Sequence, residues 1–123
     1  VGSGVTDDGG GENTGTASSF FCSNVSGLIA QIRVLILNAG GTAIASSPVV
    51  PLSHGNSTVF STHATILGEV LIATANLSTG TVNIESTQSG VFCRGAIVNA
   101  AGPRQDSSPI ALVRVNPHPG TVE

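Results

Sequence analysis

Clusters of turn-forming residues divide this chain into short segments, which leaves little room for a long helix. The clusters are rich in Gly and Asn, residues that tolerate the backbone conformations of tight turns. Turn signals that recur about every 8–12 residues are typical of β-sandwiches and β-barrels. The clusters lie at residues 38–41, 53–56, 78–80, 88–90 and 101–103.

The apolar runs between these clusters alternate with polar residues at every second position, which predicts strands. Ile32, Val34 and Ile36, for example, share one side of a predicted strand. We therefore predict an all-β fold, an antiparallel two-sheet sandwich of seven or eight strands. Residues 62–67 are ambiguous, because they would also suit one helical turn. The predicted strands span residues 18–23, 29–37, 42–50, 57–62, 69–75, 80–86, 90–98 and 109–115.

The two cysteines, Cys22 and Cys93, both lie on predicted strands and on their predicted inner sides. This placement predicts a disulfide between the two sheets, as exported proteins often carry. The alternative is a pair of buried free thiols in a cytosolic protein. The chain has no C-x-x-C motif, so the cysteines predict neither redox catalysis nor covalent haem attachment.

Three regions follow from the change in composition along the chain. Residues 1–16 form a Gly-rich N-terminal tail, residues 17–117 a β-sandwich domain and residues 118–123 a C-terminal tail. Val1 and Val5 are the only apolar side chains in the first tail. We expect a neighbouring subunit to order this tail, with Val1 and Val5 as subunit contacts. The alternative is that it folds along its own sandwich as an extra edge segment.

Charge and aromatic content exclude several classes of function. Charged residues make up 9% of the chain, whereas an average soluble domain has about 25%. Because the net charge is −3 and the aromatic content is 3%, nucleic-acid binding lacks both its electrostatic and its stacking component. No apolar run is long enough for a membrane span. The absence of Trp and Tyr also weakens any reading as a sugar-binding surface.

The ionisable residues do not form a recognisable catalytic or cofactor motif, so we expect no enzyme, no cofactor and no metal. Asp7, Asp8 and Glu12 could surround a calcium ion, but they lack the alternating ligands of an EF-hand loop. Glu69 and Glu85 would form a carboxylate pair only if the fold brought them together. No serine lies in a G-x-S-x-G motif. The imidazoles, which we interpret as ordinary loop histidines, are His54, His63 and His118.

Three segments resemble a group of bacterial secreted proteins of unknown function, each with a two-cysteine β domain. The segments are residues 20–24 (FFCSN), residues 90–96 (GVFCRGA) and residues 112–123 (LVRVNPHPGTVE). The resemblance covers residues 17–123 and implies export and a paired disulfide. It transfers no activity or binding residue to this chain.

The functional prediction is a non-enzymatic, secreted structural protein, a subunit of an extracellular self-assembling filament or surface layer. It would bind copies of itself, with Leu35 and Leu37 as further contact candidates on the Arg33 side of their strand. The alternative is that a loop covers these leucines. The start at Val1 suits a chain cut after a signal peptide, although a trimmed chain would also start without Met. The alternative function is a monomeric extracellular module that binds a carbohydrate or an envelope component.

Overall fold

The computed structural model describes residues 1–65, 69–100 and 108–114, and these contain strands and no helix. The all-β prediction is therefore confirmed for the described residues. None of them belongs to a helix of the length and apolarity that a membrane crossing needs. The strands are β1 (Gly2–Asp7), β2 (Thr16–Asn24), β3 (Ala30–Asn38), β4 (Ala43–Ser46), β5 (Val50–Leu52), β6 (Ser57–Ser61), β7 (Val70–Leu71), β8 (Leu77–Ser86), β9 (Val91–Asn99) and β10 (Ser108–Ile110).

The strands form two five-stranded sheets, which confirms the two-sheet architecture. The first sheet has the order β1-β8-β3, and β4 and β5 both pair with the far side of β3. The second sheet has the order β10-β9-β2-β6-β7. All pairs are antiparallel except β6 with β7, which is parallel.

The core lies between the sheets and consists of the inward-facing positions of each strand. Ile32, Val34 and Ile36 are fully buried, as their alternation predicts. Phe20 and Phe60 are directly opposite each other on β2 and β6, and both are fully buried. Burial of side chains of this size supplies the main apolar stabilisation of a domain this small.

The disulfide between Cys22 and Cys93 is present, but the prediction that it joins the two sheets is wrong. The two residues are directly opposite each other on β2 and β9, neighbouring strands of the second sheet, with a Cα–Cα distance of 4.1 Å. Directly opposed residues of antiparallel neighbours point to the same face of the sheet. Two inward-facing cysteines can therefore lie on neighbouring strands of one sheet as well as on strands of two facing sheets.

The N-terminal tail prediction is also wrong for six of its residues, which form β1. This strand pairs with β8 and lies in the first sheet, so the tail follows its own sandwich. Val5 is fully buried in the core, which overturns its assignment as a subunit contact. Val1 is exposed. Backbone hydrogen bonds to β8 and the burial of Val5 offset the entropic cost of ordering this strand. Composition alone had predicted that contacts with a neighbouring subunit would offset that cost.

Three predicted strands differ from those observed. Within its described residues, the segment 109–115 is a strand only as far as Ile110, and Leu112 forms an isolated bridge with Gly2. The segment 42–50 is divided into β4 and β5, because Ser47 turns toward β3: its amide donates to the Val34 carbonyl at 2.8 Å. Pro48, which follows, has no amide to donate to a ladder. The segment 69–75 contains only the two-residue strand β7. The predicted C-terminal tail, 118–123, lies outside the described residues.

Candidate functional site

Strand β1 is an edge strand of the first sheet, and its neighbour β8 extends past the N-terminal end of β1. Gly2 lies opposite Val82, and β8 continues to Ser86. Because β1 runs antiparallel to β8, residues 83–86 extend past the start of β1. Among the described residues, no strand pairs with that side of residues 84–86.

The other side of Val1 and Gly2 contacts the segment 112–114. Gly2 forms a β-bridge with Leu112. The Val1 nitrogen donates to the Val113 carbonyl at 2.8 Å, and the Val113 amide donates to the Val1 carbonyl at 2.7 Å. A Cβ at position 2 would lie 2.6 Å from Leu112 Cδ2, so this close approach requires glycine. The start of the chain thus lies as one strand between β8 and the segment 112–114.

An open groove of about 770 Å³ continues this strand path beyond Val1. Apolar residues from both sheets and from the segment 112–114 contribute to its lining, while Asn83 and Glu85 add polar groups from β8. The volume falls within the range of about 300–1,000 Å³ that is usual for ligand pockets. The apolar lining residues used below are Ile84, Val91, Cys93 and Leu112.

Arg114 holds one wall of the groove in place. Its guanidinium donates to the Val91 carbonyl at 2.9 Å and also to the Ser89 carbonyl. The same guanidinium stacks on the exposed ring of Phe92, at 5.0 Å from the ring centroid. These contacts tie the segment 112–114 to the start of β9, so the wall is held independently of any ligand.

A second polar site lies at the other end of β1, where Asp7 contacts His63. Asp7 is buried, and its Oδ2 lies 2.7 Å from His63 Nδ1. His63 Nε2 lies 2.7 Å from the carbonyl oxygen of Thr14. The pair therefore fastens the loop between β1 and β2 to the segment that follows β6. Sequence reasoning missed this pair, because residues 56 positions apart carry no local signal of contact.

The predicted acidic trio does not gather as one site. Asp8 lies with Asp7 and His63 in a group whose candidate ligand atoms are within 4.8 Å of one another, and Glu12 is not part of that group. The Asp8 carboxylate accepts from the amides of Thr16 and Gly10 at 2.9 and 2.8 Å. These hydrogen bonds lower the pKa of Asp8. The carboxylates thus act as internal acceptors that shape the loop.

The other candidate residues have separate partners. His54 Nδ1 accepts from the Gly27 amide at 3.0 Å, which is a loop role as predicted. Glu69 accepts from the Thr65 amide, whereas Glu85 forms an ion pair with Arg33 across β8 and β3. Leu35 and Leu37 are half-buried on the outer face of the first sheet, opposite Ser46 and Ala43 of β4. His118 lies outside the described residues.

Protonation of His63 strengthens its contact with Asp7. Burial lowers the pKa of His63, but the hydrogen bonds to Asp7 and Thr14 and the charges of Asp7 and Asp8 outweigh it and raise the pKa above its usual value. A group whose folded pKa is raised stabilises the fold fully below its unfolded pKa. That contribution is lost as the pH rises through the folded pKa.

We therefore expect the variant His63→Asn to lose more stability at pH 5.5 than at pH 8.5. Hydrogen bonds to charged groups contribute about 1.5–3 kcal/mol, and the fraction of His63 in the imidazolium form is larger at the lower pH. Urea unfolding at both pH values measures the free-energy differences. His54→Asn, which changes an exposed loop histidine, is the control. Equal losses for His63→Asn at the two pH values would contradict the assignment.

Comparison of the chain with protein-family models, curated proteins and solved structures found no match. The resemblance to bacterial secreted two-cysteine proteins therefore stays a prediction.

Proposed function

We propose that this chain is a non-enzymatic, extracellular structural protein that associates with copies of itself through the edge strand β4. The observation that carries the proposal is the composition of that edge. β4 (Ala43–Ser46) pairs with β3 on one side, has no partner strand on the other side within the described parts of the chain, and contains neither proline nor a charged residue. Ile44 at its centre is 43% exposed. Such an edge presents unpaired backbone groups, which readily pair with another chain.

The other sheet edges among the described residues carry protective features. Pro51 lies in β5 and Pro109 in β10, and proline offers no amide to an approaching strand. β1 has two register shifts and contacts the segment 112–114. β7 contains only two residues. β4 has one register shift of its own, next to Ile44, but it contains no proline and no charged residue and is twice as long as β7, so it is the edge that best suits association.

A second copy is the occupant that suits β4 best. Two β4 strands can pair antiparallel about a twofold axis, and the uncharged sequence brings no like charges together. Leu35 and Leu37 lie on the neighbouring strand and extend the apolar surface beside the edge. A twofold contact alone stops at a dimer, so polymer growth needs a second contact. The loop 25–29 offers one, since Val25, Leu28 and Ile29 are all exposed.

Two further observations support the extracellular and non-enzymatic parts of the proposal. The Cys22–Cys93 disulfide suits an oxidising compartment. In a hydrolase of the Ser-His-Asp type, the second ring nitrogen of the histidine contacts the nucleophile. Here His63 Nε2 contacts the Thr14 carbonyl instead, which cannot act as a nucleophile. The Asp7–His63 pair therefore supports the loop rather than a reaction.

We expect the variant Ile44→Lys to abolish self-association, because a lysine ammonium on an edge strand opposes pairing with a second copy. Sedimentation velocity and light scattering over a range of concentrations measure the assembly state, and electron microscopy shows its form. Leu71→Lys is the matched control, since Leu71 is 47% exposed on a different edge. A wild-type protein that stays monomeric at all concentrations would exclude the proposal, as would equal behaviour of the two variants.

A binding module is the second candidate function, and the groove beyond Val1 favours it. The groove combines an apolar lining with polar groups along β8, which is the arrangement of many ligand sites. Among the described residues that line it, Phe92 alone is aromatic, so stacking on sugar rings has little support there. A polypeptide ligand suits the groove better than a carbohydrate.

A further inference from the structure

We propose that the groove binds an extended peptide strand of a partner protein, with the side-chain sequence apolar–basic–apolar. The bound strand pairs antiparallel with residues 84–86 of β8 and runs in line with β1. This mode is strand addition, in which the backbone supplies affinity and alternate side chains supply specificity. The inference goes beyond the proposed function and does not depend on the β4 contact.

The width of the groove admits one strand. Val1 pairs with Val113 on one side, and the neighbouring Gly2 pairs with Val82 on the other. At the first position beyond Val1 the space therefore lies between the backbones of Ile84 and Arg114, which are about two strand spacings apart, or about 9.5 Å. A helix with its side chains has a diameter of about 10–12 Å and does not fit between them. An extended strand fits and can hydrogen-bond to β8.

The register of β1 determines the side-chain pattern of the ligand. When the ligand strand continues the register of β1, its three successive residues lie opposite Ser86, Glu85 and Ile84. Residues opposite each other share a face of the sheet, so the first and third ligand residues point inward. There they meet the apolar lining formed by Ile84, Val91, Cys93 and Leu112. Apolar residues are therefore expected at these two positions.

The middle position favours a cation, because it lies beside Glu85 on the outer face. Both contacts from Arg33 go to Glu85 Oε1. Among the described residues no partner contacts Oε2, so this oxygen can accept from a lysine or arginine of the ligand. Opposite charges on directly paired residues stabilise the pairing of two strands, whereas an acidic residue there is repelled.

A partner protein suits this pattern better than a second copy does. The sequence has an apolar–basic–apolar triplet at residues 32–34, but these residues lie in the central strand β3. A second triplet, 113–115, includes two residues of the groove wall itself. The segments 66–68, 101–107 and 116–123 contain no such triplet. The ligand strand is therefore expected to come from another protein.

The first test tethers a ligand to the chain. One variant carries Val-Lys-Val directly before Val1, and the control carries Lys-Val-Lys, which places its lysines inward. Of the β8 residues beside the groove, Ile84 and Ser86 direct their amides toward it, because the amide of Thr87, like that of Glu85, faces β3. We expect hydrogen exchange of the Ile84 and Ser86 amides to slow by about tenfold or more in the first variant relative to the control. Equal exchange in the two variants would overturn the proposal.

The second test adds the peptide acetyl-Ser-Val-Lys-Val-amide to the wild-type chain. A tether supplies a millimolar effective concentration, so the free peptide is titrated to several millimolar. We expect saturable NMR shifts at residues 83–86, 91–93 and 112–114. Glu85→Gln should remove the preference for this peptide over one with Ser in place of Lys. The absence of these shifts overturns the proposal. So does protection of residues 84–86 that rises with the concentration of the chain alone, because the occupant is then a second copy.

Discussion

Replacing Phe20 by alanine is expected to remove a large part of the stability of this domain. Phe20 is fully buried, with Phe60 opposite it on β6 and Gly95 opposite it on β9. A Cβ at position 95 would lie 3.1 Å from the Phe20 ring, so the ring already fills the space above that glycine. Truncation leaves a cavity that the rigid sheet cannot close. Phe→Ala changes in cores cost about 3–5 kcal/mol, and domains have about 5–15 kcal/mol in total.

Equilibrium unfolding in urea measures this effect as a lower midpoint with an unchanged slope. Phe92→Ala is the matched control, since it removes the same ring from a site that is 60% exposed. That change loses only the stacking with Arg114, worth about 0.5–1 kcal/mol at exposed sites. If the two variants lost equal stability, the assignment of Phe20 to the core would be wrong.

The double variant Cys22→Ala, Cys93→Ala is expected to lose about 4 kcal/mol of unfolding free energy. The disulfide closes a loop across a sequence separation of 71 residues and so restricts the unfolded chain. The chain-entropy model gives about this value for a loop of such length. In the folded state the pairing of β2 with β9 extends over nine residue pairs, so the strands stay together without the bond. The loss therefore comes mainly from the unfolded state.

Urea unfolding of the wild-type chain with and without a reducing agent tests the same effect. Reduction should lower the wild-type midpoint toward that of the double variant and leave the double variant unchanged. A wild-type midpoint that does not respond to complete reduction would contradict the expected contribution of the disulfide. Mass spectrometry after thiol alkylation confirms that reduction is complete.

The two proposed interactions use the same property of β-sheets at different places. β4 and residues 84–86 of β8 both present a strand side that has no partner among the described residues. They differ in their surroundings. β4 lies at an open edge that a folded copy can approach, whereas the space beside β8 is bounded on its far side, where it begins next to Val1, by the segment 112–114. The first geometry suits a second domain, and the second suits a single extended strand.

The amino-acid sequence by itself determined the fold class and the buried face of several strands. Alternation in residues 29–37 predicted that Ile32, Val34 and Ile36 face the core, and all three are buried. These predictions succeed because successive side chains of a strand point to opposite faces of the sheet, so the buried face is visible in the local alternation of apolar and polar residues. The disulfide pairing was predictable for a related reason, since only two cysteines are present and both occupy inward positions.

The tertiary structure alone decided which strands are neighbours. Alternation reports the face of a residue but not its neighbouring strand, so it could not place Cys22 and Cys93 in one sheet. Composition could not show that residues 2–7 form β1, because their backbone hydrogen bonds to β8 need few apolar side chains. The Asp7–His63 pair joins residues that are distant in the sequence. The groove arises because β8 extends past the start of β1, a difference that exists only once the two strands are paired.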